Sequence, residues 1–286
     1  MPKTRSAATP RPSAAGAAAA TATAKISFRS RKIVKAPPAK PLSVVTVPPP
    51  APIPPALPAL SAPGELAAAL RHLSAVDPLL SAVISSTDSP AFTSTPSIPA
   101  FHSLARSILY QQLATSAAAA IYARFLALLP SAAAVGPDPA VSPAGVLALA
   151  AADLRAIGVS GRKAAYLHDL AARFAAGDLS ESSVAAMDED ALLAQLTKVK
   201  GIGEWTVHMF MIFSLHRPDV LPSGDLGVRK GVQELYKLKA LPKPEEMAGL
   251  CDRWRPYRSV GAWYMWRLLE SKGAAAKKAK KGNASA

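Results

Sequence analysis

From Glu65 onward, apolar residues recur every three to four positions, and this continues to about residue 270. The pattern predicts helical segments at 64–73, 77–84, 101–129, 144–156, 160–176, 188–198, 204–215, 225–238, 245–252 and 258–270. Glycine or proline punctuates the joins, and the period-two alternation of strands is missing. The body therefore reads as all-α. No self-similarity at 20–50 residues is visible, which argues against a stacked-repeat solenoid.

Outside the body the pattern is lost. Residues 1–64 contain 14 of the 27 prolines, centred on the run from Val47 to Pro55. Such a segment buries too little apolar surface to offset chain entropy, so it is expected to be a disordered arm with polyproline character. The expected division is an arm at 1–64, a folded domain at 65–271 and a disordered basic tail at 272–286. No run of about 18 uninterrupted apolar residues occurs, so no membrane-spanning helix is expected. One cysteine, Cys251, excludes an intrachain disulfide and a cysteine-built zinc or iron–sulfur site.

Charge changes the picture once it is located. The arm holds nine Lys or Arg and the tail five Lys, with no acid in either, which accounts for the whole net charge of +14. The body is neutral, and its last third is basic. Lys and Arg displace counterions from phosphate, so basic ends on a neutral body suit a polyanion. The clusters Arg29-Ser30-Arg31-Lys32 and Lys277–Lys281 read as nuclear import signals. The acid-free, Arg- and Ser-rich N-terminus reads equally as an organelle transit peptide.

The most specific stretch runs from Leu196 to Val207, Leu-Thr-Lys-Val-Lys-Gly-Ile-Gly-Glu-Trp-Thr-Val. It closes one predicted helix and opens the next, with Gly201 and Gly203 permitting a tight hairpin. Glycines let the backbone come close to a phosphate, and the amides of the following helix start point at it. A lone glycine pair could be a plain helix end. Two glycines framed by Lys198, Val199, Lys200 and Ile202 between helices say more. About twenty residues on, Val220-Leu-Pro-Ser-Gly-Asp225 leads into a further predicted helix with Asp225 at its N-cap. A helix N-terminus favours negative charge, the state needed to stabilise an oxocarbenium ion or activate water.

Hairpin, helix and Pro-x-x-Asp loop together resemble the helix-hairpin-helix DNA glycosylase superfamily. Ile108-Leu-Tyr-Gln-Gln-Leu113, Trp205 and the stretch from Trp254 to Trp266 resemble its 3-methyladenine DNA glycosylase II branch, the alkylbase DNA glycosidases. The resemblance covers about residues 65–271 and implies a two-subdomain helical fold. It implies Asp225 as the catalytic carboxylate and double-stranded DNA with damaged bases as the partner, bound by a monomer. Bifunctional glycosylase/lyases carry a lysine where this chain has Trp205. Tryptophan forms no Schiff base, so hydrolysis that leaves an abasic site is implied.

A base methylated on a ring nitrogen is cationic and leaves readily, which suits one carboxylate and aromatic faces. Trp205, Tyr110 and the Trp263/Tyr264 pair are the aromatic candidates, and Gln111 completes the pocket. Gln112 or Leu113 would fill the gap left by an extruded nucleotide, although Ala114 stands where the family often has serine. Lys200, Gly201, Gly203 and Thr206 would grip the backbone, and Arg229 and Lys230 would meet phosphate. No cofactor is called for, apart from a Na+ or K+ that the resemblance suggests on the carbonyls of Thr197, Val199 and Ile202. His102, His168, His208 and His216 show no metal spacing. A glycosylase for deaminated, oxidised or mismatched bases, or a hairpin protein that only binds DNA, stay open as alternatives.

Overall fold

A computed structural model describes residues 57–95, 98–129 and 141–283. Most of the arm, the side chains of the lysine cluster at 277–281 and the last three residues lie outside the described residues. Among those described there are thirteen α-helices and no strand, as the periodicity predicts. They are α1 (Glu65–Val76), α2 (Pro78–Ser86), α3 (Ala100–Tyr110), α4 (Thr115–Leu128), α5 (Pro143–Leu147), α6 (Ala151–Ala156), α7 (Gly161–Ala175), α8 (Glu181–Ala186), α9 (Glu189–Leu196), α10 (Glu204–Phe213), α11 (Leu226–Leu235), α12 (Pro244–Leu250) and α13 (Arg258–Asn283).

The helices bury two apolar cores. Phe101, Leu104 and Ile108 of α3 pack with Phe125 of α4, Leu167 of α7, Leu192 of α9 and Phe210 of α10 in the first. The second joins the two ends of the described chain: Leu73 and Leu80 of α1 and α2 meet Val228, Met247, Trp254 and Tyr264. Burying each large apolar side chain contributes about 1.5–3 kcal/mol. Phe92 and Trp266 pack against both cores and mark the seam between them. Asp77 is buried in the second core and caps α2 through Leu79 N and Leu80 N. Its other oxygen accepts the Tyr236 hydroxyl at 2.5 Å and the Trp254 indole at 2.9 Å.

Five features depart from the sequence expectation. The segment 101–129 is two helices, because the chain turns at Gln111 and takes φ 56° at Gln112. The segment 144–156 is also two, α5 and α6. The short helix α8 had no apolar period to announce it; Ser180 and Ser183 cap each other at its start. Its Glu181 carboxylate in turn caps α3, accepting Ala100 N at 2.6 Å and Phe101 N at 3.1 Å. Finally, α13 stays helical to Asn283 through the expected disordered tail, in a run of alanine and lysine, both strong helix formers. At the other end, Leu60 is buried and its amide donates to His216 O at 2.8 Å, so packing begins ahead of Glu65.

Candidate functional site

Asp225 is held from several directions. The α13 start braces the loop before it: Ser259 Oγ accepts Val220 N at 2.9 Å and donates to Arg217 O at 2.6 Å. The Arg258 guanidinium binds the Asp219 carboxylate beside it. Asp225 then caps α11, as expected, with Oδ1 accepting Val228 N at 2.8 Å. The same oxygen accepts the Trp266 indole N–H at 2.9 Å, and Oδ2 accepts that of Trp205 at 2.7 Å. Three N–H donors and the positive end of the α11 dipole thus surround one carboxylate. Gly227 makes room for this: a Cβ there would lie 2.7 Å from Trp266 Cδ1 and 3.0 Å from Asp225 Oδ1.

Beside the carboxylate lies an open cavity of about 850 Å³. Tyr110, Gln111 and Gln112 line it from the end of α3, and Arg162, Lys163 and Tyr166 from α7. Gly201, Trp205 and Thr206 complete it from the hairpin and α10. Trp205 is 54% exposed, so its face is free while its N–H holds Asp225. Asp225 itself stands one side chain behind the cavity wall. Tyr110 lines the cavity, yet the Arg106 guanidinium sits 5.0 Å from its ring centre and occupies a face a cationic base would need. Tyr110 also borders a second cavity of about 380 Å³, shared with Met209 and Phe213. The Trp263/Tyr264 pair is corrected. Tyr264 is fully buried in the second core, and Trp263 packs under Arg267, 5.2 Å away.

The hairpin between α9 and α10 needs Gly201 in particular. Its φ is 81°, and a Cβ would fall 2.1 Å from the Tyr166 ring. Gly203 caps α10 without a side-chain acceptor, leaving first-turn amides open to an anion. A Cβ at Gly203 would meet nothing. Lys200 is exposed, with its amide 3.0 Å from Asp169 Oδ2 and its ammonium 3.6 Å from Oδ1. Burial alone would push the Asp169 carboxyl up. The Lys200 amide and the Arg173 guanidinium outweigh that and hold it below the usual carboxylate range.

Arg229 is only partly available, since its Nε donates to Pro242 O at 2.8 Å, whereas Lys230 is exposed. Val199 O already accepts Ile202 N at 3.1 Å, while among the described residues no backbone amide donates to the carbonyls of Thr197 and Ile202. This donor set fits a hard monovalent cation, because a carbonyl oxygen has two lone pairs. Among the described residues no His, Cys, Asp or Glu cluster is arranged to hold a metal. His208 is buried 3.7 Å from Glu189, and burial pushes its pKa down. Sequence reasoning missed Trp266, Gly227 and Lys163 as parts of the site. None carries a local signal; each acts across 20 residues or more or through the space it leaves.

Residues 105–256 match the HhH-GPD superfamily base excision DNA repair protein family. The chain is 33% identical over 168 residues to DNA-3-methyladenine glycosylase 1 of Schizosaccharomyces pombe, covering 58% of this chain and 71% of that one. The structure of an S. pombe 3-methyladenine DNA glycosylase in complex with abasic DNA superposes with a TM-score of 0.57 at 28% identity, over 70% of this chain and 95% of that chain. A DNA-3-methyladenine glycosidase from Bacillus halodurans gives 0.60 at 30% identity, over 73% and 90%.

Proposed function

Because the chain belongs to the HhH-GPD superfamily of base excision DNA repair proteins, we propose that it is an alkylbase DNA glycosylase that releases 3-methyladenine- and 7-methylguanine-type bases from damaged duplex DNA. This is the first step of base-excision repair. The observation that carries the reading is the Asp225 carboxylate, oriented by Trp205 and Trp266 beside a cavity with one open indole face.

The hairpin amides and Lys200 hold the strand while the nucleotide leaves the stack. The flipped base, already positive, stacks on Trp205. As its bond to C1′ breaks, the base takes the electron pair and becomes neutral. Asp225 stabilises the positive charge that develops on the sugar. Water adds to C1′ and gives up a proton, leaving an abasic site in an intact strand. Among the described residues Lys163 is the only lysine lining the cavity, and its ammonium is committed to two backbone carbonyls. That supports hydrolysis without a Schiff base. The carbonyls of Thr197, Val199 and Ile202 would hold a Na+ or K+, whose positive charge would favour phosphate at the hairpin. The acid-free basic clusters support a nuclear destination.

The test is a panel of duplexes, each with one defined lesion, scored for free base. Release of 3-methyladenine and 7-methylguanine, with little from uracil, 8-oxoguanine or mismatched bases, is expected. Preferential release of an oxidised or deaminated base would overturn the alkylbase assignment, and binding with no release would overturn catalysis.

A further inference from the structure

We propose that Lys163 is a positioning residue that sets the corner between α3 and α4, and with it the exposed side chains of Gln112 and Leu113 that enter the duplex. The inference rests on the base-excision reading, because a wedge at this corner has a role only if a nucleotide leaves the stack.

The corner has no local cause. From Tyr110 to Ala114 there is neither glycine nor proline, yet the chain leaves the helix at Gln111 (ψ 134°) and enters the left-handed region at Gln112 (φ 56°). A non-glycine residue is strained there, so the surroundings must impose it. The end of α3 also leaves carbonyls without a helical partner. Lys163, in the first turn of α7, supplies the missing donors: its ammonium is 2.7 Å from Leu109 O and 2.7 Å from Gln111 O.

The tie continues on the other side. Gln111 Nε2 donates to Gly201 O at 2.8 Å, so Lys163, Gln111 and Gly201 join α7, the corner and the hairpin around one cavity. Beyond the tie, Gln112 is exposed, and Leu113 is 41% exposed, a large apolar side chain held out from the surface. The strut fixes the wedge relative to the phosphate grip. That distance must be right for insertion and strand holding to occur together.

The experiment compares wild type with Lys163→Met, which keeps the length of the side chain and removes the donors. Insertion is read by 2-aminopurine fluorescence opposite a tetrahydrofuran abasic site, and needs no base release. Excision is read as the single-turnover rate on 7-methylguanine, either paired or in a one-nucleotide bulge that is already unstacked. The variant should melt as wild type does and bind undamaged duplex equally. It should lose most of the fluorescence rise and release the paired base about tenfold more slowly. Release of the bulged base should stay within about twofold of wild type.

Equal fluorescence in the two proteins, or equal slowing on paired and bulged substrates, would overturn the assignment. Wild-type insertion without any base release would instead count against the excision reading alone. Should Lys163→Met not fold, Lys163→Gln takes its place, since its shorter side chain cannot reach both carbonyls. It must show the same paired-versus-bulged difference, and a variant that slows both substrates alike overturns the proposal.

Discussion

Trp205 donates its indole N–H to Asp225 Oδ2 at 2.7 Å, across the seam between the two cores. One side chain therefore forms the wall of the cavity and orients the carboxylate behind it. Trp266, reaching from α13 to Oδ1, fixes the second oxygen. Once both oxygens are directed, rotation of the carboxylate no longer has to be stopped by the substrate. In the proposed reaction this is preorganisation of the kind that contributes most to stabilising developing charge.

Asp225→Asn keeps an N-cap residue and removes the charge. Base release should fall by about 10² or more, with affinity for lesion duplex near wild type. Single-turnover excision and equilibrium binding on one oligonucleotide decide it. A variant within about tenfold, roughly 1.4 kcal/mol of barrier, would show that Asp225 is not the central carboxylate.

Gly227→Ala runs against ordinary helix preference. In an exposed helix, alanine for glycine is favourable by about 1 kcal/mol. Here the new methyl would sit 2.7 Å from Trp266 Cδ1 and displace the indole from Asp225. Excision should drop while the protein still folds. Gly231→Ala makes the contrast, since its Cβ would strike Met265 backbone atoms at 2.7 and 2.8 Å. That variant should lose thermal stability first. Equal melting losses in both, with normal excision by folded Gly227→Ala, would remove the orienting role of Trp266.

Reaction products report on Trp205 and Lys163 together. Lesion duplex should yield intact strands with alkali-labile abasic sites, and borohydride should trap no adduct. A trapped adduct that vanishes in Lys163→Met would mean that Lys163 leaves its two carbonyls, loses a proton and attacks the sugar as a neutral amine.

How much of this was legible in the sequence follows from distance along the chain. Asp225 and the Gly201/Gly203 hairpin could be read because cap, turn and helix start are local patterns. The all-α body could be read from its period. The corner at Gln111 could not, because its cause is a lysine 52 residues away. Nor could the partner of Asp225 on α13 be told from its neighbours. Trp263, Tyr264 and Trp266 share a short stretch, and helix rotation alone sends one to the carboxylate and another into the core.

Asp77 ties stability to pH. Burial alone would raise its carboxyl. Hydrogen bonds from Trp254, Tyr236 and Leu80 outweigh that and hold it below the ordinary value of 3.8. A folded-state pKa that is lowered contributes stability above the unfolded value and loses it as pH falls through the folded one. Asp77→Ala should lose about 3 kcal/mol at pH 7, because the indole, the hydroxyl and the helix amides lose their acceptor. Its melting temperature should also vary less than that of wild type below about pH 4. Parallel melting curves across that range would refute the assignment.

The two hairpin glycines should fail in different ways. Gly201→Ala places a methyl in the Tyr166 ring and forces alanine to φ 81°, so folding, cavity shape and binding should suffer together. Gly203→Ala meets no protein atom, and its backbone is extended at φ −105° and ψ 172°. It should cost only the difference between glycine and alanine as caps, under about 1 kcal/mol. If the α10 amides hold a phosphate, however, the methyl at Gly203 stands where the backbone must approach. Gly203→Ala should then melt nearly as wild type does and bind duplex several-fold more weakly. Its excision rate at saturating protein should be less affected than its affinity. A salt titration of both variants separates the cases, because a lost phosphate contact weakens binding and flattens its salt dependence. Normal duplex affinity in Gly203→Ala would place the phosphate away from this helix start.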